Sequence, residues 1–174
     1  MATTLKPVSV IIIGAGFSGI ATGAQLKRKW GLDDYVIYER SPEYGGTWYA
    51  NRCVYSQCRQ LSSYTDNTIA DPGCAVDIPA ILYSLSFCQP KNITAFFPSQ
   101  TEVLEYMREV AHTFDVDRHV KCSISWEGAE WQEKSSTWKV TLKNIMTGEI
   151  MVQHSKVLVS AIGYILNQLC LQEL

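Results

Sequence analysis

The stretch VSVIIIGAGFSG, residues 8–19, decides the fold. Its first half is a continuous apolar and β-branched run, which is typical of a parallel strand buried on both faces. Its second half has the spacing Gly-x-Gly-x-x-Gly and leads into residues 18–30, whose composition favours a helix. A strand, a glycine turn and a helix in this order predict a dinucleotide-binding unit, with the pyrophosphate at the N-terminus of the helix.

Each glycine of this motif has a predicted task. Gly14 allows the tight turn, Gly16 lets the backbone approach a pyrophosphate, and Gly19 lets the helix pack closely on the strand. A second strand is predicted at Tyr35–Tyr38, and Glu39 follows it. A carboxylate at that place can accept both ribose hydroxyls of an adenosine and would repel a 2′-phosphate, so we do not expect NADP here. The alternative for the first motif is an ordinary glycine turn, and the alternative for Glu39 is a solvated side chain.

A second glycine motif, GGTW at residues 45–48, lies in a segment 41–52 that we predict to be a loop. Glycines let a chain pass close to a flat ring system, and Thr47 and Trp48 can then line that ring. The alternative is a loop that carries a core tryptophan. Taken together with the first motif, this one favours FAD over NAD as the dinucleotide.

The rest of the chain predicts an α/β fold. Gly31 is expected to end the first helix, and Ser99 with Glu102 forms a capping-box pattern before a second amphipathic helix. Thr147 and Gly148 indicate a hairpin turn. Further strands are predicted at 120–126, 130–132, 138–142, 150–153 and 156–160. We therefore predict a Rossmann-type parallel sheet with a small antiparallel β-meander, as an incomplete two-dinucleotide flavoprotein fold.

Size and composition predict one globular domain over residues 1–174, because 47% of the residues are hydrophobic and the net charge is −2. This charge balance does not favour nucleic acid or an anionic membrane as a partner. The sequence shows no transmembrane run and no secretory signal, so we expect a cytoplasmic protein. The six cysteines form no Cys-x-x-Cys pair. We therefore predict free thiols and no metal site.

The segment GGTWYANR, residues 45–52, resembles the Gly-Gly-Thr-Trp-Tyr-x-Asn-Arg-Tyr-Pro-Gly segment of Baeyer–Villiger-type flavin monooxygenases. PGCAVD at 72–77, YSLSF at 83–87 and SAIG at 160–163 resemble later segments of the same family. The resemblance covers nearly the whole chain. It implies an enzyme that uses FAD, NADPH and O₂ to convert a small organic ketone to an ester or lactone.

The resemblance also implies site residues. Asp77 matches an acidic residue near the flavin and the nicotinamide, and it is the predicted catalytic residue. Trp126 stands where the family holds adenine through its backbone. The full set predicted to bind the cofactor is Gly14, Ala15, Gly16, Phe17, Ser18, Gly19, Glu39, Arg40, Gly46, Thr47, Trp48, Asp77, Tyr83, Trp126, Ala161 and Gly163.

The chain departs from the family pattern in two places. Residues 53–71 stand where Tyr-Pro-Gly should follow Arg52, and back-translation is compatible with a retained intron that begins in codon 53 and ends in codon 71. The alternative is a genuine surface insertion, which loops tolerate well. The NADPH-binding half of the family is expected beyond residue 174.

Two alternatives to the Baeyer–Villiger function remain. The protein is then an N- or S-oxygenating flavin monooxygenase or a non-catalytic FAD-binding fragment.

Overall fold

The computed structural model describes residues 2–50 and 75–163. The predictions about an insertion or intron at 53–71 lie outside the described residues. The described part forms one seven-stranded sheet with helices packed against it. The elements are β1 (Thr3–Thr4), β2 (Val8–Ile13), α1 (Phe17–Trp30), β3 (Tyr35–Tyr38), α2 (Thr47–Ala50), α3 (Gln100–Thr113), a 3₁₀ turn (Asp117–His119), β4 (Val120–Lys121), β5 (Ile124–Gln132), β6 (Thr137–Asn144) and β7 (Ile150–Ser160).

The sheet has a parallel half and an antiparallel half. Its strand order is β4-β3-β2-β7-β6-β5, and β1 also pairs with β7. The pairs β2–β3, β3–β4, β2–β7 and β1–β7 are parallel, whereas β5–β6 and β6–β7 are antiparallel. The predicted α/β class, with a Rossmann-type parallel sheet and a meander, is confirmed. The meander continues the same sheet.

The prediction of two strands at 150–153 and 156–160 is wrong, because β7 is one strand of 11 residues. Its first part pairs with β6 as far as Ser155, and its last part pairs with β2 from Ser155 to Ser160. The two predicted strands leave out the polar pair His154-Ser155. Ser155 is instead small enough to lie between β6 and β2 with only 1% of its surface exposed. β7 therefore joins the meander rigidly to the parallel half.

The boundary between the strands predicted at 120–126 and 130–132 is also misplaced. The chain breaks at Ser123, which has φ 59°, and β5 then runs without interruption through residues 127–129. Glu127-Gly128 reads as a turn in sequence, but here it forms a register shift against β6 beside Trp126. An edge strand tolerates glycine and a bulge, and this explains the difference.

Helix α1 lies against the parallel strands through small residues. It begins one residue before the predicted start, and Gly31 ends it in the left-handed conformation with φ 58°. Gly19, Gly23 and Ala24 are buried on its inner face. A Cβ on Gly23 would lie 2.9 Å from the Val116 side chain and 3.2 Å from the Ile37 side chain of β3, so the tight packing of α1 against these residues favours glycine at this place.

Alternate residues of β2 supply two cores. Ile12 packs with the helices on one face of the sheet, whereas Ile11 and Ile13 pack with the meander on the other face. Successive side chains of a strand point to opposite faces, so one strand organises both layers. This holds the carboxyl end of β2, where the first glycine motif begins, in a fixed position.

Helix α3 confirms the predicted capping box. The Ser99 hydroxyl accepts a hydrogen bond from the Glu102 N–H at 3.3 Å, and the Glu102 carboxylate accepts one from the Ser99 N–H at 2.9 Å. The helix buries the predicted face and also Tyr106, whereas Phe114 forms its C-cap. The buried members of the predicted face are Val103, Leu104, Met107, Val110 and Ala111.

The capping box predicts an acid-sensitive contribution to stability. Hydrogen bonds from the Ser99 N–H and from Thr94 lower the pKa of Glu102 from 4.5 to about 2. Between these values the unfolded chain binds the proton and the folded chain does not, so stability falls as the pH drops from 4.5 to about 2. We expect Glu102→Gln to flatten the pH dependence of the urea midpoint over this range. The exposed neighbour Glu105, changed to Gln, is the control, and equal flattening in both variants would contradict the prediction.

Candidate functional site

A cavity of about 720 Å³ opens at the carboxyl ends of β2, β3 and β7. In open α/β sheets, ligands bind in the crevice at this edge. The cavity is lined by the N-terminus of α1, by helix α2, by residues 75–77 and Tyr83, and by the start of β5. Its volume lies within the range of roughly 300–1,000 Å³ that is usual for cofactor and small-molecule sites.

The first turn of α1 has the features of an anion site. Gly14 has φ +100°, and a Cβ there would lie 2.5 Å from the carbonyl oxygen of Ala161, so only glycine fits between β2 and the end of β7. Within the described part of the chain, no side chain caps α1 and no acidic residue occupies its first turn. Its free N–H groups and its dipole therefore favour a negatively charged group at the cavity edge.

The two glycine motifs meet in this cavity. A Cβ on Gly46, which has φ +56°, would lie 2.6 Å from the Gly16 Cα. The Gly45 N–H donates to the Ala15 carbonyl at 3.0 Å and holds the two motifs together. The sequence predicted each motif separately but not this contact. The segment predicted as a loop also contains α2, which begins at Thr47 within the second motif.

Glu39 is buried at the end of β3, with 7% of its surface exposed. One carboxylate oxygen accepts from the Ala15 N–H at 2.8 Å, and the other accepts from the Ser41 N–H at 2.9 Å. A carboxylate has about four acceptor positions, and the described residues 2–50 and 75–163 fill two of them. Because Glu39 also lines the cavity, the other positions suit a pair of ribose hydroxyls.

Three aromatic side chains form an apolar wall. The Trp48 indole N–H donates to the Tyr83 hydroxyl at 2.8 Å, and the two rings pack edge to face with centroids 5.4 Å apart. Phe17 packs on Tyr83 in the same manner. Burial raises the pKa of Tyr83, and the charge of Asp77 raises it further against the opposing effect of the Trp48 hydrogen bond. Tyr83 therefore stays a neutral phenol at physiological pH.

Asp77 lines the cavity and is exposed. Its neighbour Val76 is buried, and the Val76 N–H donates to the Pro98 carbonyl at 3.0 Å, which fixes the backbone beside Asp77. Trp126 also lines the cavity, with 42% of its surface exposed. Arg40 lines the cavity as well.

All predicted site residues except Ala15 and Gly19 line the cavity. Ala15 is fully buried behind it and contributes its N–H to Glu39. Gly19 packs α1 against the turn, where a Cβ would collide with the Gly14 carbonyl oxygen. The other predicted residues on the cavity wall are Gly14, Gly16, Phe17, Ser18, Glu39, Arg40, Gly46, Thr47, Trp48, Asp77, Tyr83, Trp126, Ala161 and Gly163.

Several lining residues escaped the sequence prediction. Tyr38 ends β3, and its hydroxyl donates to the Gln153 side chain at 2.8 Å. Burial raises the pKa of Tyr38 to about 12. The rule that sites form at carboxyl ends of parallel strands could have found this residue. Ile124 and Ser125 at the start of β5, beside the predicted Trp126, were also missed. The remaining missed residues are Ile13, Ala75, Val76 and Ile162.

A match to a known protein family identifies the class of domain to which the chain belongs. Residues 12–110 match the family described as NAD(P)-binding Rossmann-like domain, and the chain belongs to that family. This match includes both glycine motifs, Glu39 and most of α3. It agrees with the dinucleotide-type cavity at the edge of the parallel strands.

The chain is similar to monooxygenases. A Baeyer-Villiger monooxygenase of Streptomyces coelicolor is 31% identical over 83% of this chain and 24% of its own length. An FAD-binding monooxygenase of Aspergillus niger is 32% identical over 89% of this chain and 23% of its own length. The structure of cyclohexanone monooxygenase from Rhodococcus bound to NADP⁺ matches with a TM-score of 0.71 and 29% identity, over 94% of this chain and 27% of that one.

The chain thus spans about a quarter of the length of the curated relatives it matches, 24% and 23% for the two above. The predicted resemblance to the FAD-binding part of these monooxygenases is confirmed. Within residues 2–50 and 75–163, no helix combines the length and apolar character that crossing a bilayer requires.

The residues present fit FAD. Gly16 and Gly46 line the cavity without a side chain, and the first residues of α1 line the same space. The described residues fill two acceptor positions of Glu39 and leave two, and the Trp48–Tyr83 pair supplies an apolar wall for a ring system. A dinucleotide with one ribose-recognising end and one large flat ring matches this distribution of groups.

Proposed function

We propose that the chain binds FAD in this cavity and forms the flavin-binding part of a Baeyer–Villiger-type monooxygenase that depends on NADPH and O₂. The contact between the two glycine motifs carries the proposal, because it brings an uncapped helix N-terminus, a ribose-type carboxylate and an aromatic wall to one space. The similarity to monooxygenases supports the reaction class. A cytoplasmic location and the absence of nucleic acid partners stay predictions of the sequence.

Different residues of the cavity would bind different parts of FAD. The Gly14–Gly16 turn and the N-terminus of α1 would hold the pyrophosphate. Glu39 would accept the adenosine ribose hydroxyls, with Arg40 and Trp126 toward the adenine. Thr47, Trp48 and Tyr83 would line the flavin, and the exposed Asp77 would face an approaching nicotinamide or substrate.

FAD would supply the redox chemistry in the overall conversion of ketone, NADPH, H⁺ and O₂ to ester, NADP⁺ and water. The protein would contribute orientation and electrostatics. Asp77 would place a negative charge close to the reacting end, and the neutral Tyr83 hydroxyl would offer a hydrogen-bond donor beside it. Both residues lie on the cavity wall.

Equilibrium titration of the chain with FAD, NAD⁺ and NADP⁺ tests the cofactor proposal. We expect one equivalent of FAD to bind and to quench tryptophan emission, because Trp48 and Trp126 line the cavity. NADP⁺ should bind at least about tenfold more weakly than NAD⁺, since a 2′-phosphate would approach the Glu39 carboxylate. Equal affinity for all three cofactors, or saturable binding of NADP⁺ alone, would contradict the proposal.

Product analysis tests the reaction class. The flavin-loaded chain is given NADPH, O₂ and a mixture of a cyclic ketone, a sulfide and a tertiary amine. A lactone supports the Baeyer–Villiger reaction, whereas a sulfoxide or N-oxide alone indicates an N- or S-oxygenating flavin monooxygenase. Tight FAD binding without NADPH consumption indicates a non-catalytic flavin-binding chain.

A further inference from the structure

Two walls of the cavity are attached to the same short stretch of chain, Pro98–Gln100, directly before and at the start of α3. The Pro98 carbonyl accepts from the Val76 N–H at 3.0 Å, and Ser99 forms a β-bridge with Ala75. These contacts fix the wall that carries Asp77. The third residue of the stretch, Gln100, reaches the wall formed by α2.

Gln100 is buried, with 6% of its surface exposed, although its side chain is polar. Its amide nitrogen donates a hydrogen bond to the carbonyl oxygen of Trp48 in α2. This helix has only four residues, so its carbonyl groups depend on partners outside the helix. A buried carbonyl that loses its partner costs free energy, and Gln100 prevents that cost at Trp48.

Trp48 is consequently held at two places. Gln100 holds its backbone, and the Tyr83 hydroxyl accepts from its indole N–H. Both Trp48 and Tyr83 face the cavity. The position of the aromatic wall therefore depends on the Gln100 amide as well as on the ring contact.

The capping box makes this support rigid. Ser99 and Glu102 bond to each other's backbone and fix the first turn of α3, to which Gln100 belongs. Leu104 on the same helix packs on the second glycine motif, because a Cβ on Gly45 would lie 2.5 Å from the Leu104 side chain. Helix α3 thus contacts the α2 wall both through an amide and through apolar packing.

We propose that Gln100 is a positioning residue that holds Trp48 and Tyr83 in the orientation that receives the flavin ring. The proposal rests on FAD binding in this cavity. It assigns a function to a polar residue that touches the cavity only through Trp48.

Gln100→Met tests the proposal, because methionine has a similar volume and no donor. We expect the FAD dissociation constant of the chain to rise about tenfold, which is the order expected when a buried acceptor loses its partner. In the protein without FAD, the NMR signal of the Trp48 indole N–H should shift, as it should in Tyr83→Phe, which removes the acceptor directly. Gln25→Met, the same change on α1 at a side chain bonded to Arg28, should leave both readouts unchanged.

A purely structural role would lower the melting temperature of Gln100→Met but would leave the Trp48 signal and the FAD affinity at the wild-type values, and this result would overturn the proposal. If Gln100→Met does not fold, Gln100→Asn keeps the amide but is one methylene shorter, and the same shift and loss of affinity are expected. If the wild-type chain itself does not bind FAD, the proposed function fails, and an unshifted Trp48 signal in the variants would then separately overturn the positioning role.

Discussion

Gly46→Ala is expected to weaken FAD binding by about tenfold to 100-fold. The alanine Cβ would lie 2.6 Å from the Gly16 Cα, so the two glycine motifs must separate. Overpacking of this kind costs about 1–3 kcal/mol, which corresponds to that range of affinity. The measurement is an FAD titration followed by tryptophan emission, together with urea unfolding of the protein without FAD.

Gly31→Ala is the matched control for this variant. Gly31 has φ +58°, against +56° for Gly46, and no described atom lies within 4 Å of a Cβ built on it. An alanine in the left-handed conformation therefore costs both variants about 1–2 kcal/mol of folding free energy, and only Gly46→Ala also disturbs a contact. Equal FAD affinity in the two variants would show that the meeting of the motifs does not shape the cofactor site.

Glu39→Gln is expected to weaken FAD binding by about tenfold to 100-fold while the fold is retained. Hydrogen bonds to a charged group contribute about 1.5–3 kcal/mol. Glutamine keeps the shape but loses the charge, and its NH2 group must face the N–H of either Ala15 or Ser41, so one of these two bonds is lost. Glutamine should also narrow the preference for NAD⁺ over NADP⁺, because the repulsion of a 2′-phosphate is removed. Isothermal titration with the three cofactors measures both effects.

Glu133→Gln is the control for the charge change, since Glu133 is exposed in the turn between β5 and β6. A Glu39→Gln protein with wild-type FAD affinity would remove Glu39 from cofactor recognition. Its role would then be limited to bonding the N–H groups of Ala15 and Ser41.

The parts of the fold predicted correctly depend on local rules. The β2 strand, the glycine turn and the capping box at Ser99 each follow from neighbouring residues. The continuity of β7 could not be predicted from neighbouring residues. Ser155 is buried between β6 and β2, and both strands are distant from it in sequence or in the fold's connectivity. The break at Ser123 likewise depends on a backbone angle that serine rarely adopts.

The site likewise combines features that local sequence predicts with features that depend on distant residues. Glu39 and the glycine motifs were identified because their spacing relates directly to phosphate and ribose recognition. The contact of Gly16 with Gly46 and the bond from Gln100 to Trp48 join segments far apart in sequence. A single sequence carries no signal for such pairs. The contacts that orient the cavity walls could therefore be identified only from the structure.

The most direct test of the account is a map of amide chemical shifts for the chain with and without saturating FAD. We predict the largest changes at Gly16 and Gly46, with further changes at Trp48, Tyr83 and Trp126 along the cavity wall. FAD-induced changes that cluster away from the carboxyl ends of β2 and β3, or no saturable change at all, would contradict the assignment of this cavity to FAD.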